Sequence, residues 1–114
     1  MRFEVLATDY DGTLAHNGRV EPFVLEALER LRAGGRRVVL VTGREIADLR
    51  RVFSRFELFD MIVAENGGVL FTPSSGQFKL LHQPPSPKLA EELRARGVSP
   101  ARRGIRWMWA CDTV

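Results

Sequence analysis

Two aspartates lie two positions apart, where a short apolar stretch gives way to a loop. Residues 3–8 predict a buried strand, and Asp9 and Asp11 follow it beside Gly12. Two unit charges about 4 Å apart repel by roughly 4 kcal/mol at an effective dielectric constant near 20. One carboxyl group must therefore take a proton, or a hard cation such as Mg²⁺ must bind both. A turn in which aspartate side chains bond to nearby amides explains the same residues without a ligand.

A second polar group follows the second predicted strand. Residues 37–41 form a β-branched run, and Thr42, Gly43 and Arg44 come directly before a predicted helix. A helix N-terminus offers unpaired N–H donors, and a glycine lets an anion approach the backbone, so this segment suits a phosphate group. Ordinary capping by Thr42, with Arg44 in solvent, explains the same residues.

Alternating strands and helices are predicted to position these groups. The apolar spacing predicts strands over residues 3–8, 37–41 and 61–64, and helices over residues 21–33 and 46–56. This β-α-β-α-β order predicts an α/β fold with a parallel sheet covered by helices, and a site beyond the carboxyl ends of the strands. Asn66, which follows the third strand, is expected at the same edge.

The character of the sequence changes after Asn66. Two short apolar segments predict a β-hairpin, a cluster of prolines follows, and a helix and a last strand are predicted after it. In chain order these are residues 69–71 and 77–81 for the hairpin, Pro84, Pro85 and Pro87, then 88–96 for the helix and 105–110 for the strand. The change in character predicts a border near residues 66–84.

Taken together, the two polar segments resemble motifs of the haloacid dehalogenase superfamily of phosphohydrolases. Residues 9–14, DYDGTL, match its first motif, D-x-D-G-T-L, and residues 41–44, VTGR, match its second, a strand ending in Thr or Ser. Residues 62–68 are similar to the segment that enters the cap in the Cof-type sugar-phosphate phosphatases. The resemblance implies a Rossmann-like three-layer core over residues 1–68. It makes residues 69–114 a partial, cap-like or rearranged segment that packs with the core as one domain.

The resemblance also implies a reaction and the residues that perform it. The chain would be a magnesium-dependent phosphatase that hydrolyses small phosphomonoesters through an aspartyl-phosphate intermediate. Asp9 would be the nucleophile, Asp11 the general acid and base, and both would hold Mg²⁺. The remaining positions that it assigns to phosphate or substrate binding are Gly12, Thr42, Gly43, Arg44 and Asn66.

Two motifs of the family, a lysine and a later acidic motif, have no clear match. In one placement of the tail, residues 69–114 begin a cap and the sequence stops before these motifs. In the other, Lys88 and Asp112 are displaced versions of them. The hairpin after Asn66 favours the first placement, which implies a truncated fold with reduced or promiscuous activity. An inactive fragment that binds partners or forms oligomers is the alternative.

Composition narrows the class of protein. With 114 residues and 45% hydrophobic residues, the chain is expected to form one globular domain. No apolar run approaches the ~20 residues that cross a bilayer, and the single Cys111 agrees with a reducing compartment, so a cytoplasmic protein without membrane contact is expected. A net charge of +3 is too small to predict nucleic-acid binding.

Two tryptophans, Trp107 and Trp109, predict apolar surface near the C-terminal end of the sequence. This surface predicts a homo-oligomer, such as a dimer formed by strand exchange.

Overall fold

The structure, a computed structural model, describes residues 3–81, 83, 86–103 and 108–111. Its helices are α1 (Pro22–Ala33), α2 (Ile46–Val52) and α3 (Pro87–Ala95), with a short 3₁₀ turn at Phe56–Leu58 and a turn of positive φ angles at Glu65–Gly67. Its strands are β1 (Val5–Asp9), β2 (Ala15–His16), β3 (Arg19–Val20), β4 (Arg37–Val41), β5 (Met61–Ala64), β6 (Val69–Thr72), β7 (Gln77–Leu80), β8 (Pro100–Arg103) and β9 (Met108–Cys111). None of the described helices is long and apolar enough to cross a membrane.

The main sheet has five strands in the order β1-β4-β5-β6-β7. The three strands β1, β4 and β5 are parallel, and the predicted α/β alternation is confirmed in this part of the sheet. The hairpin β6–β7 adds to β5 in antiparallel orientation, so the sheet is mixed. The sheet therefore continues across the border predicted between residues 68 and 69.

Helices α1 and α2 cover one face of this sheet. Pro22 occupies the first turn of α1, where its missing N–H leaves no hydrogen bond unmade, and Leu28 is its buried residue. Leu28 and Leu49 of α2 belong to one apolar core with Val38 and Leu40, which are fully buried on β4. This core fixes the helices, and with them the turns between helices and strands.

The opposite face of the sheet is open among the described residues. Val5 and Val41, which point to this face, are 53% and 44% exposed, and Ala7 between them is also exposed. The sequence predicted helices on both faces, because residues 37–41 contain no polar residue after Arg37. The predicted Rossmann-like core is present in incomplete form: among the described residues α1 and α2 supply one covering layer, and α3 packs against β8.

A short hairpin, β2–β3, was missed by the apolar pattern. His16 pairs with Arg19, which leaves Asn17 and Gly18 as the two-residue turn with φ of 52° and 80°. Positive φ at both positions is typical of a type I′ turn, and Asn-Gly is its preferred sequence. The Asn17-Gly18 dipeptide is the feature of the sequence from which this hairpin could have been predicted.

The C-terminal part contains one strand, β8, that the sequence did not predict. Helix α3 begins with Ser86 as its cap, since the Ser86 hydroxyl accepts a hydrogen bond from the Lys88 N–H at 3.3 Å. The last predicted strand, residues 105–110, is found at β9, and it pairs with β8 in a separate two-stranded sheet. Trp107 and Asp112 lie outside the described residues.

A pair of matched substitutions tests whether one face of the sheet is open. Val38→Ala removes a fully buried side chain and should lower the free energy of unfolding by about 2 kcal/mol, whereas Val41→Ala should cost less than about 1 kcal/mol. Chemical denaturation monitored by circular dichroism measures both. Equal losses in the two variants would contradict the open face.

Candidate active site

Three strand ends meet at one edge of the sheet. In the parallel register, Asp9 lies beside Val41, and Val41 lies beside Val63. The Thr42 N–H donates to the Val63 carbonyl at 2.8 Å, so the turn after β4 is tied to β5. The residues that follow each strand therefore lie at the same level, as the sequence predicted.

Asp9 ends β1 with its side chain exposed. One of its carboxylate oxygens accepts a hydrogen bond from the Tyr10 N–H at 2.8 Å. The Tyr10 side chain points the other way, into the core, where it is fully buried. Its hydroxyl donates to the Gly18 carbonyl at 2.8 Å, and its burial raises the pKa of the phenol. Tyr10 thus fixes the backbone between the two aspartates and also ties the β2–β3 hairpin to it.

Asp11 is held by Arg44 in a two-point ion pair. The Arg44 Nε and Nη2 donate to the two Asp11 carboxylate oxygens at 2.7 and 2.8 Å. This pair lowers the pKa of Asp11 and raises that of Arg44. The guanidinium also lies 5.7 Å from the centre of the Tyr10 ring. The repulsion expected between the two aspartates is therefore offset at Asp11 by a cation of the protein itself.

The loop that carries Asp11 is closed by main-chain hydrogen bonds. The Ala15 N–H donates to the Tyr10 carbonyl at 2.9 Å, and the Gly12 N–H donates to the Ala15 carbonyl at 3.0 Å. Gly12 has a φ of 78°, which side chains rarely tolerate. The predicted phosphate-binding position Gly12 is thus required by the turn, and its N–H is already used within the loop.

Thr42 is part of the second turn and is only 4% exposed. Its hydroxyl oxygen accepts the Arg44 N–H at 3.0 Å, which shapes the turn that leads into α2. The hydroxyl hydrogen stays available to a ligand oxygen. Thr42 therefore supports the turn from below, while the exposed backbone of Gly43 faces the site.

Asn66 reaches across from the third strand end and lies directly over Gly43. A Cβ atom at position 43 would lie 2.7 Å from the Asn66 Oδ1, closer than such atoms approach in proteins. Gly43 was predicted because an anion must come near the backbone. The structure gives it a second reason, the close approach of the Asn66 carboxamide.

The acidic groups at this edge suit a magnesium ion. The exposed Asp9 carboxylate and the main-chain carbonyl of Asp11 are hard oxygen ligands, and Mg²⁺ often binds one or two carboxylates and fills its shell with water and phosphate oxygens. Among the described residues no three acidic, histidine or cysteine side chains cluster around a point, so the protein alone would supply a small share of the ligands. This donor set fits an ion that is completed by a phosphorylated ligand.

Two residues of this edge were not predicted from the sequence. Tyr10 alternates with the aspartates, so its fully buried ring follows from the two-residue period of a strand. Glu65, directly before Asn66, is a buried glutamate at 2% exposure. No periodicity marks it, since it lies where the chain leaves β5.

The contact between Asn66 and Gly43 can be tested by compensation. Gly43→Ala places a methyl group against the Asn66 carboxamide, which is exposed and can turn away, so the free energy of unfolding should fall by about 1 kcal/mol. Adding Asn66→Gly removes the obstructing side chain while tolerating the positive φ, so the double variant should recover most of the loss. Thermal denaturation of the variants checks this, and a double variant as unstable as Gly43→Ala alone would contradict the contact.

Known proteins resemble this chain in sequence and in fold. A sequence model of the haloacid dehalogenase-like hydrolases matches residues 6–94. Comparison with curated protein sequences gave no match. Among solved structures, a haloacid dehalogenase-like hydrolase from B. subtilis is 25% identical with a TM-score of 0.68, over 84% of this chain and 35% of that one.

Two further solved structures are similar over most of the chain. A haloacid dehalogenase-like hydrolase from Bacteroides thetaiotaomicron is 26% identical with a TM-score of 0.68, over 90% of this chain and 41% of that one. A sugar phosphatase of haloacid dehalogenase subclass IIB is 27% identical with a TM-score of 0.65, over 84% and 39%. The chain thus spans 35–41% of the length of these three structures. Its sequence motifs, its fold and the family match agree, and the chain belongs to the haloacid dehalogenase-like hydrolases.

Proposed function

We propose that the protein is a magnesium-dependent phosphatase that hydrolyses small phosphomonoesters. The observation that carries this proposal is the convergence of Asp9, the Arg44–Asp11 pair and the Gly43 backbone at one edge of the sheet. A nucleophilic carboxylate, a proton donor and a phosphate cradle are the groups that such a reaction needs.

In the first step, a carboxylate oxygen of Asp9 attacks phosphorus. An O–P bond forms to Asp9 while the P–O bond to the alcohol breaks, and the carboxylic acid of Asp11 gives its proton to the leaving oxygen. The exposed position of Asp9 at the end of β1 leaves room for this approach. The Gly43 backbone and the Thr42 hydroxyl follow Val41, the residue paired with Asp9, and would receive the phosphate oxygens.

In the second step, the Asp11 carboxylate takes a proton from water, and the water oxygen attacks the aspartyl-phosphate. The bond between Asp9 and phosphorus breaks, which releases inorganic phosphate and regenerates both carboxyl groups. Asp9 and the Asp11 carbonyl would hold Mg²⁺, which would supply positive charge to offset the phosphoryl oxygens.

Arg44 must release Asp11 before Asp11 can act as an acid, because the ion pair favours the charged carboxylate. The two side chains are 31% and 48% exposed, so water competes for them and the pair contributes about 1 kcal/mol or less. An incoming phosphate group offers Arg44 an alternative anion. We therefore assign Arg44 a second position, on the phosphate of the bound substrate.

Small sugar phosphates are the substrate class that we propose. The similar sugar phosphatase of subclass IIB supports this class, and so does the similarity of residues 62–68 to the Cof-type phosphatases. The single Cys111 supports a reducing compartment, and we propose the cytoplasm.

Replacement of the nucleophile tests the function. With p-nitrophenyl phosphate and Mg²⁺, Asp9→Asn should lower kcat/KM by about a hundredfold or more, because an amide oxygen is a far poorer nucleophile. Chelation of Mg²⁺ with EDTA should abolish turnover of the unaltered chain in the same release assay.

The matched control is Glu29→Gln, an exposed glutamate of α1 that pairs with Arg55 at 2.8 Å. It should keep its rate within about twofold, since this exposed ion pair lies outside the candidate site. Turnover that survives Asp9→Asn would refute the assignment. An unaltered chain that folds and releases no phosphate would favour the alternative, an inactive binding fragment.

We propose further that two copies of the chain pair through β1. Among the described residues β1 is paired on one side alone, with β4, and Val5 and Leu6 on it are 53% and 38% exposed. An apolar edge strand with unpaired N–H and carbonyl groups is a template for another strand. A second copy offers the same strand, and antiparallel pairing of two identical edges closes with two-fold symmetry.

Light scattering coupled to size-exclusion chromatography tests the dimer. Light scattering should give the unaltered chain a mass of twice the 12.9 kDa of one copy. Val5→Lys places charges on the shared edge, so this variant should have the mass of a single chain. A single-chain mass for the unaltered protein at every concentration would refute this pairing.

A further inference from the structure

We propose that Glu65 is a positioning residue, whose buried side chain holds Asn66 and Arg44 in place at the edge of the sheet. The inference rests on the proposed phosphatase function and deepens it. It assigns a role to Glu65, the one charged residue that is buried among the residues whose side chains the structure describes up to position 100.

The first support is the place where Glu65 is buried. It follows the fully buried Ala64 and precedes the exposed Asn66, so it lies exactly where the chain passes from the core to the site. Burial of a carboxyl group costs free energy that an apolar side chain would avoid. Core packing therefore does not explain a glutamate at this point.

The second support is the backbone. Glu65, Asn66 and Gly67 have φ angles of 52°, 55° and 91° in succession. Asparagine and glycine accept this left-handed region, as Asn17 and Gly18 do in the hairpin, whereas glutamate rarely does. Such strain persists where the surroundings hold it, and it gathers at functional sites.

The third support is the set of contacts that this turn makes. The Glu65 N–H donates to the Arg44 carbonyl at 3.1 Å, and the Asn66 N–H donates to the Thr42 carbonyl at 3.4 Å. The same turn sets the Asn66 Oδ1 over Gly43. The position of Arg44, and through it the grip on Asp11, thus depends on the strained turn.

These observations describe an anchor. The buried Glu65 side chain fixes the turn from inside, and the turn presents the Asn66 carboxamide and the Arg44 carbonyl in one arrangement. Without the anchor the turn relaxes, Asn66 leaves Gly43, and the guanidinium of Arg44 loses its set direction. Small displacements of this kind lower the rate without unfolding the protein.

Two variants separate the anchor from ordinary stability. Glu65→Gly relieves the strain and deletes the side chain, so kcat/KM for p-nitrophenyl phosphate should fall about tenfold or more per folded molecule. Glu65→Gln keeps the length of the anchor and one of its two acceptor oxygens, so it should stay within about threefold of the unaltered chain. The folded fraction is measured by circular dichroism in each sample.

The matched control is Asn17→Gly, which relieves a left-handed residue in the β2–β3 turn and should leave kcat/KM unchanged. The inference is overturned if Glu65→Gly keeps its activity, if its loss equals the lost folded fraction, or if Glu65→Gln falls as far as Glu65→Gly. A loss in Asn17→Gly as large as that in Glu65→Gly overturns it too.

A second measurement works even if the unaltered chain shows no turnover, in which case the proposed function fails by itself. Amide hydrogen exchange of Glu65 and Asn66 reports the two main-chain bonds to Arg44 and Thr42 directly. Glu65→Gly should speed this exchange about tenfold while the amides of β4 and β5 stay protected. Unchanged exchange at these two amides would refute the anchor.

Discussion

The parallel pairing of β1, β4 and β5 is the constraint on which the site depends. Each strand enters the sheet in the same direction, so the residues that follow each strand arrive at one edge. The register sets Asp9 beside Val41 and Val41 beside Val63, and a shift by one residue would turn every side chain to the other face. The fully buried Val38, Leu40 and Ile62 resist such a shift, because it would expose them. The same strand register therefore buries the core residues and places Asp9 at the edge of the sheet.

Aromatic side chains of the core also help to position the residues of the candidate site. Tyr10 contacts Phe53 at 5.7 Å between ring centres, and Phe53 contacts Phe59 at the same distance. The ring that lies between two aspartates in sequence is thus part of the core in space. Its hydroxyl holds the hairpin at Gly18, and its face lies below the Arg44 guanidinium. The exposed polar side chains of the site are thus positioned by buried aromatic residues.

The sequence predicted the parts of this site that follow from local rules. The aspartates after the first strand and the Thr42–Arg44 segment after the second were located by strand length, turn residues and parallel topology. The grip of Arg44 on Asp11 was not, because the two residues are 33 positions apart and charge alone does not choose between solvent and a partner. The contact of Asn66 with Gly43 was missed for the same reason.

The open face and the buried Glu65 show a different limit. An unbroken apolar strand is typical of a sheet covered on both sides, and nothing in the run from Val38 to Val41 distinguishes the face that stays open. Glutamate is usually a surface residue, and Glu65 is buried because of the backbone conformation of the turn that follows β5. Both features are set by the tertiary arrangement, which local patterns do not contain.

The single-sided pairing of β1 has a consequence for the motions of the molecule. Its partner β4 follows helix α1 in the chain, so this pairing forms between distant parts of the sequence. No other described strand pairs with the outer edge of β1. Strands with few protected amides open at lower free energy than strands paired on both sides. Of the three strands that carry the site, the one that ends in Asp9 therefore opens locally most easily, whereas Thr42 and Arg44 follow a strand that is held from both sides. The two halves of the site thus belong to regions of different rigidity, and the carboxylate half is the softer one.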